Sequence, residues 1–350
     1  MERMDEGMPF LLKYENVAWY EDGKVRILDR RVYPTEVRFA ECTDYREVVQ
    51  AIADMVTQSA GPYTAVGMGM ALAAHQVRGQ AAEKQLSFLR QAADELANAR
   101  PTQANRYGQI TACAAEVAED ALREGEDPVE TIVAATVASL NRRYSIMQTV
   151  GDALCELIPQ GGSILTQCYG ETIIGTLIRA ARAQNKEFRV YCAETRPYLQ
   201  GARLTASCFA ETGFDTTVLT DNSIAWAMQD GRIDLFTSAA DTIARDGAIA
   251  NKIGTFQIAL LAAQFGIPYF VTGVPDRDKA TKDDIVIEMR NSEQVLQFRG
   301  VRICAPGVKA LYPAFDVVPP DLITGIVTDK SVFPPQEIDR YFDGEVQVFY

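Results

Sequence analysis

Histidine is almost absent from this sequence, because His75 is the only one in 350 residues. Most histidine-based metal sites need two or three imidazoles, so this count excludes them. A Ser-His-Asp triad would have to use His75, which stands in an alanine-rich run of helical character. The sequence therefore does not favour a hydrolase of that type.

Long apolar runs and clusters of basic residues are missing as well. No apolar stretch approaches the ~20 residues that cross a bilayer, and the start M-E-R-M-D-E-G lacks the basic-then-apolar order of a signal peptide. The 34 Lys and Arg residues face 47 Asp and Glu, for a net charge of -13 without a block of cations. We therefore expect a cytoplasmic protein that binds neither membranes nor nucleic acid, although a small anion can still bind at local cations and helix N-termini.

Paired cysteine motifs are also lacking. The seven cysteines show no C-x-x-C spacing and fall well below the density of a disulfide scaffold. The sequence therefore predicts reduced thiols at Cys42, Cys113, Cys155, Cys168, Cys192, Cys208 and Cys304.

Two patterns divide the chain, and they predict one domain over residues 1–150 and another over residues 151–350. The first begins with strand-like segments, V-A-W-Y and K-V-R-I-L around an E-D-G turn and then V-R-F-A-E-C, followed by Ala-rich segments with apolar residues every three or four positions. This pattern predicts a small antiparallel sheet with helices.

The second half alternates short apolar runs with helical segments. The runs are S-I-L-T-Q, F-R-V-Y-C, T-T-V-L-T, L-F-T-S-A and Y-F-V-T-G. Such alternation predicts a Rossmann-like, mostly parallel sheet, so that the overall fold class is α/β. Ligands of these sheets bind outside the carboxyl ends of the strands, where we expect Cys168, Glu194, Asp221 and Asp241.

Cys168 and Asp241 are the chemically competent side chains among these. Cys168 precedes a helical segment, and a nearby helix N-terminus would lower the thiol pKa; the alternative is an inert buried cysteine. Asp241 follows the small residues S-A-A, where partial desolvation would raise its pKa into the range of a general acid. The alternative for Asp241 is a helix cap.

Two further segments offer groups for a ligand. Asn251 and Lys252 stand in a glycine-flanked stretch that leads into a helix, where backbone N–H groups and an ammonium suit a phosphate or a sugar hydroxyl. The stretch from Glu194 to Ala206 supplies hydrogen-bonding groups at the same predicted edge, although an internal salt bridge from Glu194 to Arg196 or Arg203 is an alternative for part of it.

Four motifs together resemble the methylthioribose-1-phosphate isomerase family. They are R-P-T-Q-A-N, E-T-R-P-Y-L-Q-G-A-R-L-T-A, A-D-T-I-A-R-D-G-A-I-A-N-K-I-G-T-F-Q and Y-P-A-F-D-V-V-P-P-D-L-I-T, in the family's order. The resemblance runs from about Trp19 to Pro334. The resemblance also implies membership of a broader family that includes ribose-1,5-bisphosphate isomerase and the regulatory subunits of translation initiation factor 2B.

The resemblance implies an aldose-ketose isomerase of a sugar 1-phosphate that needs neither metal nor cofactor and forms a homodimer. The family's catalytic cysteine and aspartate fall on Cys168 and Asp241. Its substrate-binding positions fall on Arg100, Gln200, Asn251 and Lys252.

Two departures from the family bear on the substrate. The family's phosphate loop R-G-A-P-A-I-G is replaced near Gln58 to Gly67 by Q-S-A-G-P-Y-T-A-V-G, which contains no arginine, and the segment after Cys168 is shorter than usual. The leading substrates are 5-methylthioribose 1-phosphate and 5-deoxyribose 1-phosphate. The alternatives are another sugar phosphate, such as ribose 1,5-bisphosphate, and a non-catalytic ligand-binding regulator.

Overall fold

The structure is a computed structural model that describes residues 3–100 and 103–344. It divides into two compact units with the boundary between Ser145 and Ile146, inside a long helix and close to the predicted division after residue 150. Within the described ranges, no helix combines the length and the apolar character needed to cross a membrane.

The first unit combines a three-stranded antiparallel sheet with helices, as predicted. The strands are β1 (Ala18–Glu21), β2 (Lys24–Leu28) and β3 (Phe39–Cys42), in the order β1-β2-β3. The helices are α1 (Tyr14–Val17), α2 (Tyr45–Ala53), α3 (Gly61–Gln76), α4 (Ala82–Ala97), α5 (Ala104–Glu124) and α6 (Pro128–Leu157), the last of which crosses the boundary.

Helix α3 forms the centre of this unit's core. Every residue from Gly61 to Ala74 is buried, as expected of a helix that is apolar on all sides. His75, near its C-terminal end, forms a hydrogen bond of 3.0 Å between Nδ1 and the Tyr20 hydroxyl. The single histidine therefore links α3 to β1.

The second unit contains a seven-stranded sheet in the order β15-β14-β10-β7-β4-β5-β6. All pairs in this sheet are parallel except β14 with β15. Its strands are β4 (Ser163–Thr166), β5 (Arg189–Ala193), β6 (Thr216–Leu219), β7 (Leu235–Ala239), β10 (Tyr269–Thr272), β14 (Gly325–Val327) and β15 (Val332–Phe333). All five predicted apolar runs are strands here, which confirms the predicted fold class.

Five helices lie between these strands or follow them: α7 (Glu171–Ala183), α8 (Ala206–Glu211), α9 (Ile224–Gln229), α10 (Thr255–Phe265) and α11 (Glu293–Leu296). The core of the unit combines sheet residues such as Phe236 and Val271 with helix residues such as Ile258. Its last described part is a 3₁₀ segment, Pro335–Phe342, which buries Ile338 and Tyr341 completely.

Two smaller sheets complete the second unit, and the sequence pattern did not predict them. One is antiparallel, in the order β13-β9-β8, and consists of β8 (Thr242–Ile243), β9 (Ile249–Lys252) and β13 (Phe315–Val318). The other pairs β11 (Gln297–Phe298) with β12 (Val301–Arg302). Strands β8, β11 and β12 have only two residues each, and β9 and β13 contain polar residues such as Asn251, Lys252 and Asp316, so none of them forms an apolar run.

Candidate active site

The carboxyl ends of four neighbouring strands bring the predicted residues to one edge of the sheet. Strands β7, β4, β5 and β6 are adjacent and parallel, so their C-terminal ends share that edge. The residues that follow them are Cys168 after β4, Glu194 after β5, Asp221 after β6 and Asp241 after β7.

Cys168 is held in a strained backbone conformation by its neighbours. Its φ of 63° lies in the left-handed region, as does the 65° of Thr195 in the adjacent strand-end loop. The Cys168 N–H donates to Thr195 Oγ1 at 3.1 Å, and the Cys168 carbonyl accepts from the hydroxyl of Thr205. Strain of this kind in non-glycine residues tends to cluster at functional sites, where surrounding contacts maintain it.

Asp221 organises the loop that carries Thr195. Its carboxylate accepts from the backbone N–H of Thr195 at 2.8 Å and of Arg196 at 2.7 Å. Burial, together with the nearby Asp221 charge, raises the pKa of Glu194. Asp221 thus acts on the backbone and fixes the position of Thr195.

The structure corrects the expected electrostatics of the Cys168 thiol. Its pKa is raised to about 11, chiefly by burial and in smaller part by the Asp241 carboxylate, while Lys252 and Arg290 act to lower it without offsetting burial. The predicted lowering by a helix N-terminus is wrong, because α7 begins only at Glu171 and desolvation of the sulfur dominates. Cys168 is therefore a protonated thiol at neutral pH.

Asp241 and Lys252 both act electrostatically on Cys168, so the carboxylate and the ammonium lie near the thiol. The Asp241 N–H donates to Ala250 O at 2.9 Å, which ties the end of β7 to β9. Asn251 and Lys252 lie on β9, each only 4% exposed, and not in a loop that opens α10. Pairing of β9 with β13 places Lys252 opposite Phe315, whose ring lies 5.0 Å from Nζ.

Gln200 is nearly fully buried at the start of a π-helical turn, Gly201–Thr205. This turn is tied to Cys168 through the Thr205 hydroxyl. Gly201 packs against β5 so closely that a Cβ added there would come within 1.7 Å of Ala193 O. The close approach positions Gln200 beside the same strand end.

Arg100 belongs to the first unit and is partly buried at the end of the loop after α4. Its neighbours at 101 and 102 in the R-P-T-Q-A-N motif lie outside the described residues. The structure leaves its assignment as a prediction.

The segment from Gln58 to Gly67 lacks the family arginine, but it is contacted by a guanidinium from another segment of the first unit. Arg30, fully buried, donates from Nη1 to the Gln58 carbonyl at 2.6 Å. A Cβ on Gly61 would come within 2.8 Å of that nitrogen, so only glycine leaves room for it. Sequence comparison along the loop alone could not reveal this contact.

The sequence analysis did not single out several residues near Cys168, although Thr195 and Thr205 lie in the stretch from Glu194 to Ala206 that it described. Thr195 and Thr205 fix the Cys168 backbone, while Arg290 and Tyr312 interact electrostatically with its thiol. Tyr312 stands in the quoted motif Y-P-A-F-D, and this motif was the only feature of the sequence that pointed to it. Arg290 lies in a segment with few regular elements, where no periodicity marks it.

The site combines a thiol, a carboxylate and buried cations, which are the parts needed for proton transfer on a small anionic molecule. Among the residues that the structure describes, no group of three or more His, Cys, Asp and Glu side chains is placed to hold a metal ion.

Comparison with known proteins identifies the family of this chain. Residues 61–335 match the initiation factor 2 subunit family. Methylthioribose-1-phosphate isomerase 1 of Pseudothermotoga lettingae is 35% identical over 334 residues, which cover 91% of this chain and 95% of that protein.

Two solved structures share the fold. The 5-methylthioribose 1-phosphate isomerase of Pyrococcus horikoshii OT3 superposes with a TM-score of 0.80 at 32% identity, covering 94% of this chain and 97% of that one. The delta subunit of translation initiation factor eIF-2B from A. fulgidus superposes with a TM-score of 0.77 at 30% identity, covering 91% and 96%. The chain thus belongs to the initiation factor 2 subunit family and, within it, to the methylthioribose-1-phosphate isomerases.

Proposed function

We propose that this protein isomerises a 5-substituted ribose 1-phosphate, such as 5-methylthioribose 1-phosphate or 5-deoxyribose 1-phosphate, to the corresponding ribulose 1-phosphate. The observation that supports the proposal is the electrostatic proximity of Asp241 and Lys252 to Cys168, in a chain similar to enzymes of that name. The reaction converts an aldose into the isomeric ketose, without net gain or loss of atoms.

The 1-phosphate determines what the site must do, because it blocks spontaneous opening of the sugar ring. An acid protonates the ring oxygen and the bond from C1 to that oxygen breaks. A base then removes the proton from C2, which forms an enol phosphate between C1 and C2. A proton added at C1 and the loss of the proton from the C2 hydroxyl complete the ketose.

Cys168 and Asp241 are the proposed acid and base. In one assignment Asp241 protonates the ring oxygen, and a Cys168 thiolate formed in the complex removes the C2 proton. In the other, the thiol is the donor and the Asp241 carboxylate is the base, which agrees with the protonated thiol of the free protein. Both assignments place negative charge on the sulfur during the reaction. A hydride shift from C2 to C1 is the third route.

The proposed binding residues are Arg100, Gln200, Asn251 and Lys252, which would hold the phosphate and the hydroxyls so that the open chain stays aligned. Burial of Gln200, Asn251 and Lys252 supports this role, because such polar groups stay fixed in one geometry. Arg100 is included on its matching motif alone.

Turnover in deuterated water tests both the substrate and the route. Purified protein is incubated with the 1-phosphates of 5-methylthioribose, 5-deoxyribose and ribose, and with ribose 1,5-bisphosphate, while NMR follows ketose formation. Solvent deuterium at C1 of the product indicates proton transfer, whereas complete retention of the C2 hydrogen at C1 agrees with a hydride shift or with a single base that is shielded from solvent. Preference for the bisphosphate would favour the alternative suggested by the altered phosphate loop.

Substitution of the two proposed catalytic residues tests the site. We expect Cys168→Ser and Asp241→Asn each to lower kcat by at least about 100-fold, since general acid and base groups contribute factors of that order. Circular dichroism should show both variants folded. Cys113→Ser, at a thiol in α5 of the first unit, is the matched control and should keep wild-type activity. Full activity in either site variant would refute the assignment.

The rival function is a non-catalytic regulator, which the similarity to the eIF-2B delta subunit favours. It predicts no turnover of any sugar 1-phosphate, together with tight binding of a phosphosugar or nucleotide in calorimetry. We further propose a cytoplasmic homodimer, for which light scattering should give twice the chain mass of 38.5 kDa.

A further inference from the structure

Arg290 is fixed in place by three contacts in the second unit. Its backbone N–H donates to Tyr312 O at 2.8 Å, its Nε donates to Glu288 Oε1 at 3.0 Å, and its guanidinium interacts electrostatically with the Tyr312 side chain. Only 11% of the Arg290 side chain is exposed. An arginine held this way has a defined position, unlike a cation on a solvated surface.

The ring of Phe315 brings Arg290 and Lys252 together. The Lys252 ammonium lies 5.0 Å from the ring centroid and the Arg290 guanidinium 5.6 Å from it. Both distances are within the range of cation–π attraction. Two largely buried cations therefore share one aromatic side chain, and Arg290 is also paired with Glu288 at 3.0 Å.

A chain of backbone contacts connects this pair to Cys168. Gln167, the residue before Cys168, donates from Nε2 to Ile253 O at 2.9 Å, directly after Lys252. Ile253 in turn donates its N–H to Ala314 O at 3.1 Å, directly before Phe315. The strand end that carries the thiol is thus fixed to the segments that carry the two cations.

The charges around Cys168 agree with this placement. Lys252 and Arg290 lower the thiol pKa and Asp241 raises it, while Tyr312 is the further titratable group that interacts with it. The N–H of Tyr169 also favours the thiolate. Arg290 is therefore one of two cations that oppose the effect of burial on the sulfur.

We propose that Arg290 is a second cation of the active site, a positioning residue that stabilises negative charge on the Cys168 sulfur together with Lys252. The catalytic importance of this inference rests on the proposed function, because in both acid–base assignments the sulfur becomes negatively charged. Glu288 and Tyr312 orient the guanidinium, and Phe315 keeps it beside Lys252.

Alkylation of Cys168 tests the proposal without any substrate. Iodoacetamide reacts with the thiolate, so the rate at a fixed pH below the pKa falls about tenfold for each unit by which the thiol pKa rises. The rate is followed between pH 8 and 10.5 by mass spectrometry of the peptide that contains Cys168. We expect Arg290→Gln to slow this alkylation severalfold at every pH, and Arg290→Lys to give an intermediate rate.

Arg302→Gln is the matched control, because Arg302 pairs with Glu293 at 2.9 Å on a more exposed part of the same region. It should leave the alkylation profile unchanged. A wild-type profile in folded Arg290→Gln would overturn the proposal. If Arg290→Gln does not fold, Arg290→Met takes its place, because methionine keeps an unbranched apolar side chain without the charge, and a wild-type profile in folded Arg290→Met would overturn the proposal.

Activity supplies a second readout. With an accepted substrate, Arg290→Gln should lower kcat severalfold with little change in KM, since the guanidinium acts on the sulfur. An effect on KM alone would identify Arg290 as a substrate contact instead and would contradict the positioning role. If the wild type turns over no sugar 1-phosphate while the alkylation shift is still seen, the proposed function fails and the electrostatic role of Arg290 stands.

Discussion

At the scale of single residues, the chemistry of this site depends on how the Cys168 sulfur is held. Its backbone lies in a left-handed conformation, and the adjoining Thr195 does as well. Desolvation keeps the thiol protonated at neutral pH, while Lys252 and Arg290 act in the opposite direction. In the proposed reaction the sulfur would therefore carry charge only briefly.

Thr195→Val tests the support of this conformation. The substitution keeps the shape of the side chain but removes the oxygen that accepts the Cys168 N–H at 3.1 Å. A buried donor left without its acceptor costs about 1 to 3 kcal/mol of stability. We expect the midpoint of urea unfolding to fall accordingly, and kcat to fall more than KM changes.

Thr212→Val is the control for this substitution. The hydroxyl of Thr212, the residue directly after α8, donates to Cys208 O in that helix at 2.8 Å, and its removal leaves no site residue without a partner. Its effect on kcat should be negligible. Equal losses of kcat in both threonine variants would contradict the supporting role of Thr195.

At the scale of elements, the site depends on close packing between strand ends and the turns that follow. The π-helical turn Gly201–Thr205 is connected to Cys168 by Thr205 and to β5 by Gly201. The pairing of β9 with β13 places Lys252 opposite Phe315. These contacts convert residues distant in sequence into one arrangement.

Gly201→Ala tests the packing of the turn. A methyl group 1.7 Å from Ala193 O cannot be accommodated, so the turn must move, at a cost of about 1 to 3 kcal/mol or more. Because Gln200 leads the same turn, we expect KM to rise as well. Denaturation and steady-state kinetics measure the two effects.

Gly108→Ala is the matched control, since a Cβ added at that position inside α5 meets nothing within 4 Å. It should stabilise the protein by about 0.5 to 1 kcal/mol, because glycine is unfavourable in helix interiors. A Gly201→Ala protein as stable and active as the wild type would show that the turn does not constrain the site.

At the scale of the whole molecule, buried thiols link stability to alkaline pH. Burial raises the pKa of Cys42 and of Cys168 to about 11, and of Cys192 to about 12. An unfolded cysteine ionises at about pH 8.5. The stability that these thiols contribute is therefore fully present below that pH and is lost as the pH rises through the folded values.

We expect the free energy of unfolding to fall between about pH 9 and pH 11, by as much as 1.4 kcal/mol per pH unit for each thiol. Urea unfolding at a series of pH values measures this slope. Cys192→Ala removes one titrating group and should make the slope shallower by up to that amount. An unchanged slope in Cys192→Ala would contradict the linkage.

Local signals in the sequence were sufficient for much of this fold. The five apolar runs of the parallel sheet and the E-D-G turn were recognised because buried strands and tight turns depend on nearby residues. The same logic put Cys168 and Asp241 at strand ends, since parallel strands share a carboxyl edge. The family motifs added Gln200, Asn251 and Lys252, whose roles remain predictions.

Tertiary structure decided what depends on contacts between distant segments. The strand β9 forms because β8 and β13 pair with it, and Arg30 reaches the loop at Gln58 from another element. The pKa of Cys168 follows from burial and from the charges of Lys252 and Arg290, which no local pattern encodes. Sequence alone therefore determined which groups are proposed to carry the chemistry, and the folded chain determined the protonation of Cys168 and its neighbours, because desolvation and Coulomb interactions act through space.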